Sequence, residues 1–297
     1  MSPTAPADPF ESPSGKHAGT ENFPVASRLI RRELRPHAMA FYRFARAIDD
    51  VADDPTLDDD EKRRRLNAFD ETLLTLNEDG PAAAWSLGQS LRATGVSPRH
   101  ARDLIRAFLR DVEQRRYRDW ADLMSYCALS AAPVGRYLMD LHGEDEALRE
   151  GSDALCAALQ VINHLQDCGD DYREMDRVYI PEPWLAEQGL GVEVLAGHAA
   201  PPGLRRVWDR LLDGTAALLA GSRPMPVSIR SAGLALETAA IQALAERLGR
   251  GLRRRDPLAE RVKLGRSAML MVGLGGAVRC ASTRRWRALA PGSSVVR

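Results

Sequence analysis

Two acidic runs, Asp49-Asp50-Val51-Ala52-Asp53-Asp54 and Asp167-Cys168-Gly169-Asp170-Asp171, interrupt segments that otherwise read as apolar helix. In each run two aspartates stand four residues apart, and on a helix such positions share a face, about 5–6 Å apart at Cβ. Asp49 and Asp53 make one pair; Asp167 and Asp171 make the other. Two such pairs facing each other would form an oxygen-rich site for a hard divalent cation. Mg²⁺ characteristically takes one or two carboxylates and completes its shell with water and phosphate oxygens. The spacing therefore points to chemistry on a diphosphate.

Pro36 suits a first helical turn and Pro55 a stop, framing a helix over 36–54. At 100° per residue, Phe41, Phe44, Ala45, Ala47, Ile48, Val51 and Ala52 take one side of it, and Tyr42, Arg46, Asp49 and Asp53 form a stripe on the other. The plain alternative is an amphipathic helix with its charged face in water. Against it, this face carries Tyr, Arg and Asp but almost none of the lysine or glutamate that usually fills a surface. The second segment, with Ser152 as N-cap, lines up Gln160, Asn163, Asp167 and Asp171, while Ala158, Val161, Ile162, Leu165 and Cys168 fill the rest. Asn and Asp compete for backbone hydrogen bonds in a helix interior, and Gly169 costs about 1 kcal/mol relative to alanine. Helix stability alone does not select these residues. Asn163, Asp167 and Asp171 read as three oxygen donors on successive turns.

Nearly every other segment from residue 22 onward also reads as helix: 59–77, 99–117, 119–142, 152–173, 203–221 and 228–250. In the first of these Leu66, Phe69, Leu73 and Leu74 have core-facing spacing. An extended piece is expected at 177–181, since residues before Pro181 avoid the α region. Pro133, inside Ser130-Ala131-Ala132-Pro133-Val134-Gly135, predicts a kink, with small residues around it that permit close backbone approach or room for a ligand. The expected organisation is one all-α domain over 21–285, preceded by a Pro/Ser/Gly-rich, disordered leader (1–20) and followed by a loose tail (286–297).

Lysine plus arginine balances aspartate plus glutamate at 41 each, so no global field favours nucleic acid. Locally, Arg253-Arg254-Arg255, Arg261, Lys263, Arg266 and Arg279 make the C-terminal region basic, which leaves peripheral contact with the inner face of a membrane open. The four cysteines form no C-x-x-C pair and read as reduced thiols of a cytoplasmic protein. The six histidines show no metal-ligand spacing, and no G-x-G-x-x-G marks a dinucleotide site.

Together, Phe41-Tyr42-Arg43-Phe44-Ala45-Arg46-Ala47-Ile48-Asp49-Asp50-Val51-Ala52-Asp53 and Gln160-Val161-Ile162-Asn163-His164-Leu165-Gln166-Asp167-Cys168-Gly169-Asp170-Asp171 resemble the squalene/phytoene synthase family, and the resemblance runs from Glu21 to about Leu252. It implies an all-α isoprenoid synthase fold around a central cavity. It also implies Mg²⁺ held against a prenyl diphosphate by Asp49, Asp53, Asn163, Asp167 and Asp171, with Tyr42 and Arg46 beside them in catalysis. Asn22, Phe23, Tyr126, Gly135, Gln160, Asn163, Gln166 and Tyr179 are the implied substrate-binding residues. Within the family, Glu21-Asn22-Phe23-Pro24-Val25, Arg118-Asp119-Trp120-Ala121-Asp122-Leu123 and Asn163-His164-Leu165-Gln166-Asp167 are most similar to a bacterial branch. That branch converts presqualene diphosphate and water into hydroxysqualene and diphosphate, a carbon–oxygen lyase reaction of hopanoid biosynthesis. Phytoene and squalene synthases generally carry serine near Asn22 and often arginine where Gln166 stands, and these departures speak against a first condensing step. The implied partners are presqualene diphosphate, water and a presqualene diphosphate synthase that hands its product over. Head-to-head condensation of prenyl diphosphates and a non-catalytic assembly role are the competing readings.

Overall fold

The computed structural model describes Phe10 and residues 29–289, with side chains described as far as Trp286. The leader proposed for 1–20, the expected site residues Asn22 and Phe23, and residues 290–297 of the tail lie outside that set. Helices dominate: α1 (Arg35–Asp53), α2 (Asp59–Thr75), α3 (Ala82–Thr94), α4 (Arg99–Glu113), α5 (Trp120–Ser130), α6 (Ala132–His142), α7 (Arg149–Met175), α8 (Glu182–Ala186), α9 (Pro202–Ser222), α10 (Met225–Ser228), α11 (Ala232–Leu252) and α12 (Arg266–Leu289). Two short strands, β1 (Arg116–Tyr117) and β2 (Val178–Pro181), pair in parallel. The all-α class expected from the sequence is the one observed.

Two apolar clusters organise the packing. One gathers α1 through α4 with Tyr137 and Leu141 of α6; the other gathers α5, α7, α9 and α11 around Trp208, Ile162 and Leu165. Helix α1 buries Phe41, Phe44, Ile48, Val51 and Ala52, the apolar side read from its period. Phe41 stacks on Tyr137 with ring centroids 4.0 Å apart, and Phe44 meets Phe69 edge-on at 5.9 Å. In α2, Leu66, Phe69 and Leu73 are buried as the spacing requires, but Leu74 is half exposed and Thr72 is buried instead.

Three expectations are corrected. The segment 119–142 is two helices, because Pro133 has no N–H to donate and occupies the first turn of α6, leaving Ala131 as the joint. Helix α7 starts at Arg149, three residues before the expected cap; Ser152 is an interior, buried residue. Helices α3 and α12 were not anticipated: the first is alanine-rich and the second contains Gly273, Gly275 and Gly276, so neither carries a sharp apolar period.

Gly135 shows why α6 needs its small residues. A Cβ there would come within 2.4 Å of Ser152 Oγ and 2.7 Å of Cys156 Sγ, both on α7. Replacing Gly135 with alanine is expected to push α6 from α7 and cost about 1–3 kcal/mol, read as a lowered urea midpoint with unchanged m-value; an unaltered midpoint would refute this contact.

Candidate active site

Helix α1 divides its aspartates between tasks. Arg46 forks between Asp49 and Asp50, donating to Asp49 Oδ2 and, at 2.5 Å, to Asp50 Oδ1. Asp54 stops the helix by accepting from the backbone N–H (2.8 Å) and hydroxyl (2.6 Å) of Thr56. Asp53 receives a 2.5 Å bond from Arg177 Nη1, while Arg177 Nη2 donates to the Ala52 carbonyl at 3.0 Å. This arginine comes from the far end of α7. Asp176 closes that helix with a left-handed φ of 52°, its carboxylate bonded by Arg116 at 2.5 Å, and the chain turns there into β2. The strand pair, with Val178 N–H donating to the Arg115 carbonyl at 3.0 Å, fixes Arg177 beneath α1.

On α7, Asp170 points outward to Arg173 (2.5 Å), and Asn163, Asp167 and Asp171 take the other face. Burial lifts the Asp171 carboxyl from its ordinary 3.8 to about 8, reinforced by the charges of Asp167 and Asp53 and opposed by Arg177. Asp53 on α1 lies close enough to Asp171 on α7 for its charge to act there. Asn163 Oδ1 is buried without a hydrogen-bond partner. An unsatisfied amide oxygen beside mutually repelling carboxylates is a donor set suited to a hard divalent cation. Among the described residues no three His, Cys, Asp or Glu side chains form a group that could hold a metal ion.

Asp49, with Arg46 and Tyr42, lines a cavity of about 400 Å³, whereas Asp53, Asn163, Asp167 and Asp171 lie outside its lining. Its lining follows α1 from Asp49, Arg46 and Tyr42 back through Ala45 and Phe41 to Ala38, about 16 Å of helix at 1.5 Å per residue. Leu104 and Phe108 of α4, Leu155 and Leu159 of α7, and Leu234 and Ile241 of α11 supply further walls. Charge collects at one end, and most of the remaining wall is hydrocarbon and aromatic ring. Ser130, Ser152, Thr238 and the buried Glu237 are polar exceptions in that wall.

Such a cavity suits an amphiphile with an anionic head. The family model for squalene/phytoene synthase matches residues 16–268. The chain belongs to the squalene/phytoene synthase family. It is 46% identical to the hydroxysqualene synthase of Rhodopseudomonas palustris over 84% of this chain and 86% of that protein. It is 44% identical to the hydroxysqualene synthase of Zymomonas mobilis over 84% of each chain. The crystal structure of squalene synthase HpnC from Alicyclobacillus acidocaldarius superposes with a TM-score of 0.64 at 28% identity, covering 88% of this chain and 87% of that one. The isoprenoid synthase fold implied by the family resemblance is therefore the fold of this chain.

The remaining residues singled out from the sequence fall into distinct places. Gly135 and Tyr42 line the cavity. Tyr126 and Tyr179 lie in a buried aromatic group with Tyr117 and His164; His164 stacks on Tyr179 at 3.5 Å. Both phenols donate to Asp111, at 2.5 Å from Tyr126 and 3.3 Å from Tyr179. Burial raises Asp111 to about 6, against the pull of Arg177 and of the Tyr126 bond. His164 is driven down to about 3 by burial and by Arg177, so its imidazole is neutral, and the Gln160 amide meets its Nε2 at 3.2 Å. Gln166 is buried and donates to the Val262 carbonyl at 2.5 Å, bracing the segment between α11 and α12 against α7. Sequence reasoning gave no role to Arg177 or Asp111. Arg177 has a local signal, a basic residue directly after an acidic helix, but Asp111 sits in an ordinary amphipathic pattern.

Because Asp171 binds its proton more tightly when folded than when unfolded, its contribution to stability falls as pH rises between 3.8 and about 8. In chelator, Asp171→Asn should flatten the decline of the urea midpoint across that window. A slope equal to wild type would show that Asp171 is not strained by its neighbours. Removing Arg177 strands Asp53 and Asp111 without their buried counter-charge, and Arg177→Met should cost about 3–5 kcal/mol in the same measurement; a loss below about 1 kcal/mol would mean the pair behaves as a surface ion pair.

Proposed function

We propose that this chain is a hydroxysqualene synthase, a carbon–oxygen lyase that ionises presqualene diphosphate and lets water capture the rearranged cation. What carries the reading is the cavity, charged at the Asp49–Arg46 end and mostly apolar along α1, α4, α7 and α11, with Ser152, Glu237 and Thr238 as polar exceptions. A diphosphate belongs at the first and a C30 hydrocarbon in the second. The strong likeness to two proteins named hydroxysqualene synthase supports the choice of water as the final nucleophile.

Asp49, Asp53, Asp167 and Asp171, with the amide oxygen of Asn163, would hold Mg²⁺ at the head of the cavity. Bound there, Mg²⁺ would neutralise charge developing on the departing diphosphate. Arg46 adds a charge-assisted donor within the same rim once the phosphate oxygens compete with Asp49 and Asp50 for it. Arg177, held cationic by Asp53 and Asp111 in spite of its burial, fixes Asp53 in place. Phe41, Tyr42 and Tyr137 line the cavity and offer π faces to a migrating positive charge. The apolar wall keeps bulk water from the early cation and so delays capture until the carbon skeleton has rearranged. The free cysteines, three of them buried, accord with a reducing cytoplasm, and the substrate's hydrocarbon accords with work at the inner face of the membrane.

Purified protein with Mg²⁺ and presqualene diphosphate should form a C30 alcohol without nicotinamide cofactor, and in ¹⁸O-labelled water the hydroxyl should carry the label. Squalene formed only with reduced cofactor, and no labelled alcohol, would falsify the assignment; diphosphate release from farnesyl diphosphate alone would favour a condensing enzyme. Asp49→Asn, Asp53→Asn, Asp167→Asn and Asp171→Asn should each lower turnover by about a hundredfold or more with helical content retained. Normal turnover in both Asp49→Asn and Asp167→Asn would break the two-motif site.

A further inference from the structure

Helix α12 has an outward face that the proposed reaction does not use. Its inward face is fixed on α11: a Cβ at Gly276 would come within 2.5 Å of the Ala239 carbonyl oxygen, Cys280 is buried, and Arg284 donates to the carbonyls of Ile229 and Arg230. The outward face carries Leu270 (70% exposed), Met271 (71%), Leu274 (58%) and Val278 (55%), with Trp286 (79%) near the C-terminal end. Leu270, Leu274 and Val278 follow one another at intervals of four with Met271 alongside, a single stripe about 12 Å long. Isolated exposed apolar residues need no explanation, but a contiguous row marks a docking surface.

Charge identifies the occupant. The helix contains no acidic residue, and besides the inward-bonded Arg284 it carries Arg266, Arg279, Arg285 and Arg287, in a chain whose formal net charge is zero. A second copy meeting this face across a two-fold axis would set these arginines against their own equivalents. A bilayer surface with anionic headgroups satisfies both halves of the pattern: aliphatic side chains enter the acyl boundary, arginines reach lipid phosphates, and tryptophan takes the interface. Among the described residues no helix is long and apolar enough to cross a membrane, so the stripe is suited to shallow insertion. We propose that α12 docks the protein on an anionic lipid bilayer through Leu270, Met271, Leu274, Val278 and Trp286. The helix beneath it, α11, lends Leu234, Thr238 and Ile241 to the cavity wall, so docking sets the cavity one helix away from the lipid.

The test is co-sedimentation of the full chain with vesicles of phosphatidylcholine plus phosphatidylglycerol, against vesicles of phosphatidylcholine alone. Binding to the anionic vesicles, weakened by salt, is expected. Leu274→Glu, and separately Leu270→Ser with Arg285→Glu, should reduce it by about tenfold or more while the urea midpoint stays at the wild-type value. A blue shift of tryptophan fluorescence on adding anionic vesicles should vanish in Trp286→Phe. The proposal is overturned if anionic vesicles leave the protein in the supernatant, or if both stripe variants bind as wild type does. It is likewise overturned by a concentration-dependent dimer that Leu274→Glu dissociates in the absence of vesicle binding, which would give the stripe to a second copy. These readouts register binding and not turnover, so they stand whether or not the proposed reaction does.

Discussion

Crowded negative charge between α1 and α7 governs this molecule. Burial lifts the Asp171 carboxyl to about 8, and the charges of Asp167 and Asp53 add to that cost. Buried carboxylates in such company are tolerable only with a counter-charge. Arg177 supplies one from inside the protein, bonded at once to Asp53 and to the Ala52 carbonyl. A single buried guanidinium leaves the cluster short of balance, and the unsatisfied Asn163 oxygen adds a further acceptor. Of the carboxylates in the two acidic motifs, Asp49 lines the cavity.

The rest of the architecture separates that charge from hydrocarbon. Helix α1 serves both sides: Asp53 and Asp49 at its C-terminal end, then Arg46 and Tyr42, then Phe41 and Ala38 deep along the cavity. The same helix buries its opposite face on α2, α3 and α4, so the stripe cannot rotate away from the cavity without exposing Phe44, Ile48 and Val51. Rigidity of the site is thus secured by ordinary core packing. On α7 the close approach of Gly135 to Ser152 and Cys156 performs the equivalent service.

Behind the charged end, Asp111 gathers the Tyr126 and Tyr179 hydroxyls and lies within the field of Arg177. The two phenols therefore spend their donors on a buried carboxylate, and His164, stacked against Tyr179, stays neutral. This network links Tyr126 of α5 to Tyr179 of β2, and Asp111 reaches Asp53 through the one residue between them, Arg177.

Local pattern was enough to reveal the helical class and the pairing of Asp49 with Asp53 and of Asp167 with Asp171, because helical period is a property of neighbours three and four apart. The same period placed Asn163 on the acidic stripe, and the proline rule placed the extended piece that became β2. The break at Ala131 was visible as Pro133, though its outcome, two helices and not one kinked helix, was not. Partners distant in the chain stayed hidden: Arg177 with Asp53, Asp111 with Tyr126, Gln166 with the Val262 carbonyl, and Gly135 against Ser152. So did the exposure of the α12 stripe, since a weakly polar run reads alike whether a neighbour covers it or not. Sequence by itself determined which residues share a helix face; only the tertiary structure decided which faces meet, because helix period is set by backbone geometry and the choice of facing partner by packing across the whole chain.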